Sequence, residues 1–227
     1  MTDDDVVSNL KKTLTEDVDY KKVNGSIFGS ACEDTVNFLN NVGVKGTWVD
    51  VCAGDGRYTK YLFDADAVIA LDIDEHALDK LRLSTAPEYL SKLETKKHDV
   101  TTRFPFEDES IDGFFSSGSL HLFTKEQLGD IVDEMYRALK SGGDIVIDFT
   151  INPIRIQPSG ELLIYKGESK FTIPEAKEYL TELFDGDKYM IKEVFVSHYT
   201  DPKGTFRQSE HPHHLECDSI TLHAKKI

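Results

Sequence analysis

Apolar residues along this chain follow two rhythms, and the change between them divides it. Up to about residue 44 they recur at spacings of three or four: Val7, Leu10, Leu14 and Val18, then Ala31, Val36, Phe38 and Leu39. That period predicts an amphipathic helix over 5–19, a polar stretch over 20–26, and a second helix closed by Asn40-Asn41 and Gly43. From Thr47 short apolar runs take over. Residues 48–51 and 67–72 read as buried strands, 96–100 as a weak strand, and 111–116 and 144–149 as stronger ones. Helical segments fall between them. One covers 58–63. Another starts at Asp74 as N-cap, carries Leu78, Leu81 and Arg82, and is limited by Pro87. The best-marked has Thr124 and Gln127 at capping-box spacing, an apolar face of Leu128, Ile131, Val132, Met135 and Leu139, and a stop at Ser141-Gly142-Gly143. A further face of Ala176, Tyr179, Leu180, Leu183 and Phe184 has Pro174 in its first turn. Two β-rich segments, about 189–200 and 217–225, finish the chain.

Strands alternating with helices imply an α/β fold with a mainly parallel sheet covered on both faces. Its ligand then belongs beyond the carboxyl ends of the strands, where strand order reverses. The loops after Asp50, Asp72, Val100 and Phe115 share that edge. Residues 1–44 are expected to form a helical cap on a domain spanning 45–227, the two making one compact unit.

Composition narrows the function. At 227 residues and 39% hydrophobic, the chain can bury one substantial core. No run approaches the roughly 20 apolar residues of a membrane span. The start, Met1-Thr2-Asp3-Asp4-Asp5, is acidic where a secretory signal is basic and then apolar. Cys32, Cys52 and Cys217 are odd in number and lack metal-type pairing, so they read as reduced thiols of a cytoplasmic protein. A net charge of −15 disfavours nucleic acid, because phosphate binding draws its affinity from a basic face. Oligomeric state is not readable.

The chemistry concentrates at the strand ends. Gly54 and Gly56 follow the strand ending at Asp50-Val51, and glycine lets backbone approach a ligand closely. A dinucleotide turn would place a third glycine near Thr59, and Asp50 would repel a pyrophosphate while suiting a cation. Asp72, 22 residues after Asp50, ends the next strand, where a carboxylate can accept from two ribose hydroxyls. Asp99 ends the third, placed to accept from an exocyclic amine. Asp74 is better explained as a helix cap.

With three acids at three successive strand ends, residues 45–150 resemble the class I S-adenosylmethionine-dependent methyltransferases, especially the small-molecule type. Trp48-Val49-Asp50-Val51-Cys52-Ala53-Gly54-Asp55-Gly56 is similar to the family's first motif, with small residues Cys52 and Ala53 in the turn. The run from Val68 to Asp74 resembles its ribose-binding strand. Phe104-Pro105-Phe106 through Asp112 resembles its approach to the fourth strand, and Met135-Tyr136-Arg137-Ala138-Leu139-Lys140-Ser141-Gly142-Gly143 its entry to the fifth. The resemblance implies a Rossmann-like sheet of seven strands, the last antiparallel, and S-adenosylmethionine as cofactor. It implies that Asp50, Gly54 and Gly56 surround the methionine portion, with Cys52 and Ala53 also at the cofactor. Asp72 with Ile73 would hold the ribose, Asp99 with Val100 the adenine, and Ser116 and Ser117 would line the cofactor. Asn-Pro-Pro-aromatic, the mark of many amino methyltransferases, is replaced by Ser117-Gly118-Ser119-Leu120.

The acceptor side is less legible. In-line methyl transfer needs a base only if the acceptor loses a proton. His121, just after the fourth strand, is the first candidate, against the plainer reading of a packed histidine; Tyr20 and Tyr58 rank lower. Two longer connections face the same edge. Residues 151–172 carry Asn152-Pro153, Arg155 and Tyr165; residues 201–216 carry Arg207, Glu210, His211, His213 and His214. Arg155 and Arg207 suit an acidic acceptor, although exposed arginines usually only solubilise. The histidines with Glu210 or Cys217 suit a metal, but a polar hairpin tip explains them with less, and no metal is assigned. The N-terminal helix suits a lid over the cofactor as well as a cover for the sheet. A small-molecule methyltransferase is the leading expectation. A protein or RNA methyltransferase and a catalytically inactive cofactor-binding regulator are the alternatives.

Overall fold

The structure is a computed structural model that describes residues 20, 24–165, 168, 170–184, 186–207 and 212–227. The expected helix over 5–19, Glu210 and His211 lie outside the described residues. Seven strands form one sheet in the order β3-β2-β1-β4-β5-β7-β6. They are β1 Thr47–Val51, β2 Ala67–Asp72, β3 Leu93–Lys97, β4 Ile111–Ser117, β5 Leu139–Ile156, β6 Tyr189–Thr200 and β7 His214–Lys226. The first five pair in parallel, and β7 runs antiparallel to both β5 and β6. Strand order reverses between β1 and β4, so the loops after these two strands open the crevice in which such sheets bind ligands.

Alternation along the strands loads both faces. Val49, Phe114, Ile145 and Ile147 pack with Leu128, Ile131 and Met135 of α3 (Lys125–Ala138) and Leu180 of α4 (Ile173–Leu183). Their neighbours Trp48, Phe115 and Val146 point the other way, onto Phe38 and Leu39 of α1 (Glu33–Val42) and onto Leu62 and Phe63. The period of two along each strand therefore supplies two cores from one sheet.

The expected helix starts hold. Thr124 and Gln127 form the capping box of α3, and the side chain of Asp74 accepts from the His76 amide (2.9 Å) to cap α2 (Glu75–Ser84). A second capping box, Thr172 with Glu175, opens α4. Four expectations need correction. The segment over 58–63 makes only a short 3₁₀ turn, Thr59–Leu62. The weak third strand lies earlier, at Leu93–Lys97, because its pairing with β2 is set by Val68↔Leu93. Ser141-Gly142-Gly143 does not stop α3, which already ends at Ala138. Leu139 pairs at once with Ile111, and the glycine turn interrupts β5 before Asp144 resumes the ladder. Finally, β5 does not end near Phe149. It shifts register between Ile151 and Ile154, with Asn152 at φ 49°, and continues paired to β7 as far as Ile156. The bulge carries a strand pair past the carboxyl edge of the parallel sheet, giving the site a β-structured wall where a loop was expected.

Candidate active site

A cavity of about 250 Å³ opens at the carboxyl ends of β1, β2 and β4. Of the residues expected around the cofactor, Asp50, Cys52, Ala53, Gly54, Asp72, Ile73, Asp99, Val100 and Ser117 line it. Gly56 and Ser116 do not. Gly56 (φ 85°) packs so closely that an added Cβ would sit 2.3 Å from Leu81, and Ser116 donates to the carbonyl of Val51 (2.8 Å), tying β4 to β1.

The turn after β1 runs through positive φ at Cys52 and Gly54 (60° and 56°). It is held from outside by Asp72. One Asp72 oxygen accepts from the Gly54 amide (2.7 Å) and the other from the Asp74 amide (2.8 Å). Burial raises the Asp72 carboxyl above the ordinary range, against these amides. Asp50 is 3% exposed and accepts from the Thr59 hydroxyl (2.6 Å). Burial pushes it up to about 7, with Thr59 opposing and Asp72 adding to the rise. A buried carboxyl so raised is poised to ionise when a cation arrives beside it. Asp99 accepts from both the amide (3.0 Å) and hydroxyl (2.7 Å) of Thr101. Beside it, His98 Nε2 is buried with no hydrogen-bond partner among the described residues. This donor and acceptor set fits the sulfonium, ammonium, ribose and adenine of S-adenosylmethionine.

A strap from the N-terminal side crosses this turn. Asp55 accepts from the Ser26 hydroxyl (2.6 Å) and the Ile27 amide (2.8 Å). That seats the Phe28 ring where a Cβ on Gly54 would meet it at 2.8 Å. Tyr20 donates to Asp74 (2.7 Å), and the Tyr58 hydroxyl accepts from the Cys32 amide (2.9 Å). Burial raises both phenols further above the ordinary range, so neither is set up as a base.

The opposite wall comes from β4, β5, β7 and their connections. His121 is 3% exposed, lines the cavity, and has Glu168 Oε1 3.2 Å from Nε2. Arg155 is buried and the Arg207 side chain only 11% exposed, so neither is merely solubilising. Arg155 clamps both oxygens of Glu168 (2.6 and 2.7 Å), and Arg207 donates to Asp201 (3.2 Å). Asp148, opposite Ser117 in the β4–β5 register, accepts from the hydroxyls of Ser117 (2.7 Å), Thr35 (3.3 Å) and Ser219. Arg57 donates to the Phe28 carbonyl (3.1 Å) and lies over the Tyr58 ring. Among the described residues no group of three or more His, Cys, Asp or Glu side chains could hold a metal ion. His213 lines the cavity, while the His214 ring turns to Thr200 and Thr205. Cys32, Cys52 and Cys217 are free thiols and all line the cavity; burial pushes Cys217 up to about 12.

Sequence reasoning missed Asp55, Arg57, Asp148 and Glu168. Two had a signal: Arg57 follows the glycine turn directly, and Asp148 lies in the fifth strand near its carboxyl end. Asp55 and Glu168 had none, since each acts through contacts with distant segments.

The strand order, the acid-tipped β1 and β2 and the cavity between them define a Rossmann-like fold with a candidate ligand site. A family model described as a methyltransferase domain matches residues 49–143. An uncharacterized methyltransferase of Synechocystis is 30% identical over 96 residues, 42% of each chain. A demethylmenaquinone methyltransferase of Oceanobacillus iheyensis is 29% identical over 146 residues, 63% of this chain and 58% of that one. The chain thus spans about half the length of these curated relatives. A S-adenosylmethionine-dependent methyltransferase from Methanosarcina mazei shares the fold, with a TM-score of 0.64, 17% identity, and coverage of 87% of this chain and 99% of that one. The match over residues 49–143 and the shared fold liken this chain to the class I S-adenosylmethionine-dependent methyltransferases. S-adenosylmethionine is the cofactor of that class. Among the described residues no helix is long and apolar enough to cross a membrane.

Proposed function

We propose that this protein transfers a methyl group from S-adenosylmethionine to a small-molecule acceptor. The observation that carries the reading is one cavity with two unlike walls: carboxylates at the ends of β1 to β3, and aromatic, histidine and arginine side chains from the opposite strands. Asp50, Cys52, Ala53 and Gly54 would surround the methionine portion, Asp72 with Ile73 the ribose, and Asp99 with Val100 the adenine. Ser117 would line the cofactor beside β4. Bound there, the cofactor supplies an electrophilic methyl carbon on a sulfonium. The protein's part is to align the acceptor behind that carbon, to exclude water, and, where the acceptor carries a proton, to receive it at His121.

A net charge of −15 weighs against nucleic acid as acceptor. The relative named a demethylmenaquinone methyltransferase is named for a small organic acceptor, which supports the same choice. Three free thiols suit a reducing compartment, and we assign the protein to the cytoplasm.

The test uses S-adenosylhomocysteine and methyl-labelled S-adenosylmethionine. The product analogue is expected to raise the melting temperature, and label from a cell extract is expected in the small-molecule fraction. An unchanged melting temperature would sink the cofactor assignment. Label confined to protein or RNA would sink the acceptor class, and binding without transfer to any fraction would identify a regulator instead.

A further inference from the structure

Across the cavity from the acidic strand ends lies a buried ionisable cluster that cofactor binding does not explain. His121 sits in the short turn Leu120–Leu122 that follows β4, with its ring set against the edge of Phe149. It is 3% exposed, and Nδ1 has no hydrogen-bond partner among the described residues. Glu168 Oε1 lies 3.2 Å from Nε2. Arg155 grips Glu168 through both oxygens, and its guanidinium stacks 4.2 Å from the centre of the Tyr165 ring. A histidine kept only for packing finds partners, because burying an unpaired polar group costs free energy. Here the carboxylate is immobilised beside Nε2, and Nδ1 is left without a partner among the described residues.

A fixed carboxylate beside one ring nitrogen selects the tautomer protonated there and leaves the other lone pair free to accept. We propose that Glu168, clamped by Arg155, holds His121 as the Nε2–H tautomer so that Nδ1 takes a proton from a phenolic or enolic hydroxyl of the methyl acceptor. This rests on the methyl-transfer reading above. The acceptor oxygen forms its bond to the methyl carbon as the carbon–sulfur bond breaks and that electron pair returns to sulfur. The hydroxyl proton passes to Nδ1 and then to solvent. His121 is the group that touches the acceptor; Glu168 and Arg155 are positioning residues.

The surroundings match an acidic hydroxyl better than an alkyl alcohol. Burial holds the imidazole below its ordinary value, with Glu168 and Asp148 opposing and Arg155 adding to the fall. For Glu168 burial acts upward, but His121 and Arg155 outweigh it and bring the carboxyl down to about 2. At pH 7 the ring is therefore neutral and the carboxylate ionised. A weak base of this kind is matched to a weakly acidic O–H. Tyr58, Tyr165, Tyr199, Phe115 and Phe123 line the same cavity and suit a flat unsaturated ring.

The test is long-range proton–nitrogen NMR of the full chain labelled at histidine nitrogens, with and without S-adenosylhomocysteine. The expected parent spectrum shows His121 as the Nε2–H tautomer, titrating below about 6.5. In Glu168→Gln the midpoint is expected to drop by about one pH unit as the opposing charge is lost, with tautomer selection lost too. Glu168→Asp should fall between. Glu168→Gln strands a buried guanidinium, so Glu168→Gln/Arg155→Met, which removes both charges, is measured beside it with the same loss of selection expected. An Nδ1–H tautomer in the parent, or a Glu168→Gln spectrum like the parent's, overturns the proposal. Labelled methyl transfer to a panel of phenols, enols, thiols and amines supplies the second arm. Phenol or enol ethers are expected, with turnover about 100-fold lower in Glu168→Gln and product-analogue affinity within about twofold of the parent. Transfer only to thiols or amines overturns the acceptor class. Failure to bind S-adenosylhomocysteine breaks the methyl-transfer reading instead, while the tautomer result still reports on Glu168.

Discussion

The two walls of the cavity are built by different means. On the wall proposed for the cofactor, carboxylates are held largely by backbone amides: Asp72 by those of Gly54 and Asp74, Asp99 by that of Thr101, with Asp50 on the Thr59 hydroxyl. On the wall proposed for the acceptor, side chains hold side chains: Arg155 to Glu168, Asp148 to Thr35 and Ser219, Arg207 to Asp201. Backbone-held geometry tolerates sequence change around it, so one cofactor can be kept while acceptors vary. Side-chain pairs can be exchanged singly, and that is where specificity can move.

The division breaks most sharply at Asp72. Removing its carboxylate in Asp72→Ala deletes the acceptor proposed for the ribose and the tie that shapes the glycine turn. Affinity for S-adenosylhomocysteine is expected to fall about 100-fold by titration calorimetry, two charge-assisted hydrogen bonds being worth roughly that. Arg207→Met is the counterpart. Asp201 keeps its bonds from the Leu215 amide and the Tyr199 hydroxyl, so the fold should stand. Here the acceptor KM is expected to rise about tenfold while cofactor affinity holds. Equal losses of cofactor affinity in both variants would erase the distinction between the walls.

Asp50 gives the next largest effect, through pH. Its folded value is raised, to about 7, so the folded apo protein takes up a proton more readily than the unfolded chain. That group's contribution to stability is full below the unfolded value of about 3.9 and is lost as pH rises toward 7. Apo Asp50→Asn should therefore melt higher than the parent at pH 8. A cationic ligand requires the ionised form, so cofactor affinity should fall by up to about tenfold per pH unit below 7, and Asp50→Asn should lose that slope. A parent affinity independent of pH between 5 and 8 would remove Asp50 from the cation's side.

The same division explains what could be read before any coordinates. Strand ends bearing Asp50 and Asp72 are local features: an apolar run, an acid, then glycine or a helix cap. The resemblance to known methyltransferases rested on these, and the sheet order and antiparallel β7 agree with it. Glu168 was not legible, because its partners Arg155 and His121 are 13 and 47 residues away and meet only through the bulged extension of β5. The Ser141-Gly142-Gly143 turn misled because glycine after a helical face usually ends a helix. Here Leu139 already pairs with Ile111, and strand pairing sets the boundary.

The smallest expected effect separates two neighbouring serines. Alternation along β4 turns them to opposite faces: Ser116 inward, with its hydroxyl on the Val51 carbonyl, and Ser117 toward the cavity, with its hydroxyl on Asp148. Ser116→Ala leaves a buried carbonyl short of one donor and should cost about 1 kcal/mol. For a chain of this size that is a fall of about 2–4 °C in melting temperature, with cofactor affinity unchanged. Ser117→Ala removes one of three hydroxyls from Asp148, at a position water can reach, so its melting temperature should move less. Its cofactor affinity should drop instead, by a few-fold. The resemblance set both serines against the cofactor, whereas only Ser117 lines the cavity. Matching affinity losses in the two variants would return Ser116 to the site and show that β4 shifts when the cofactor binds.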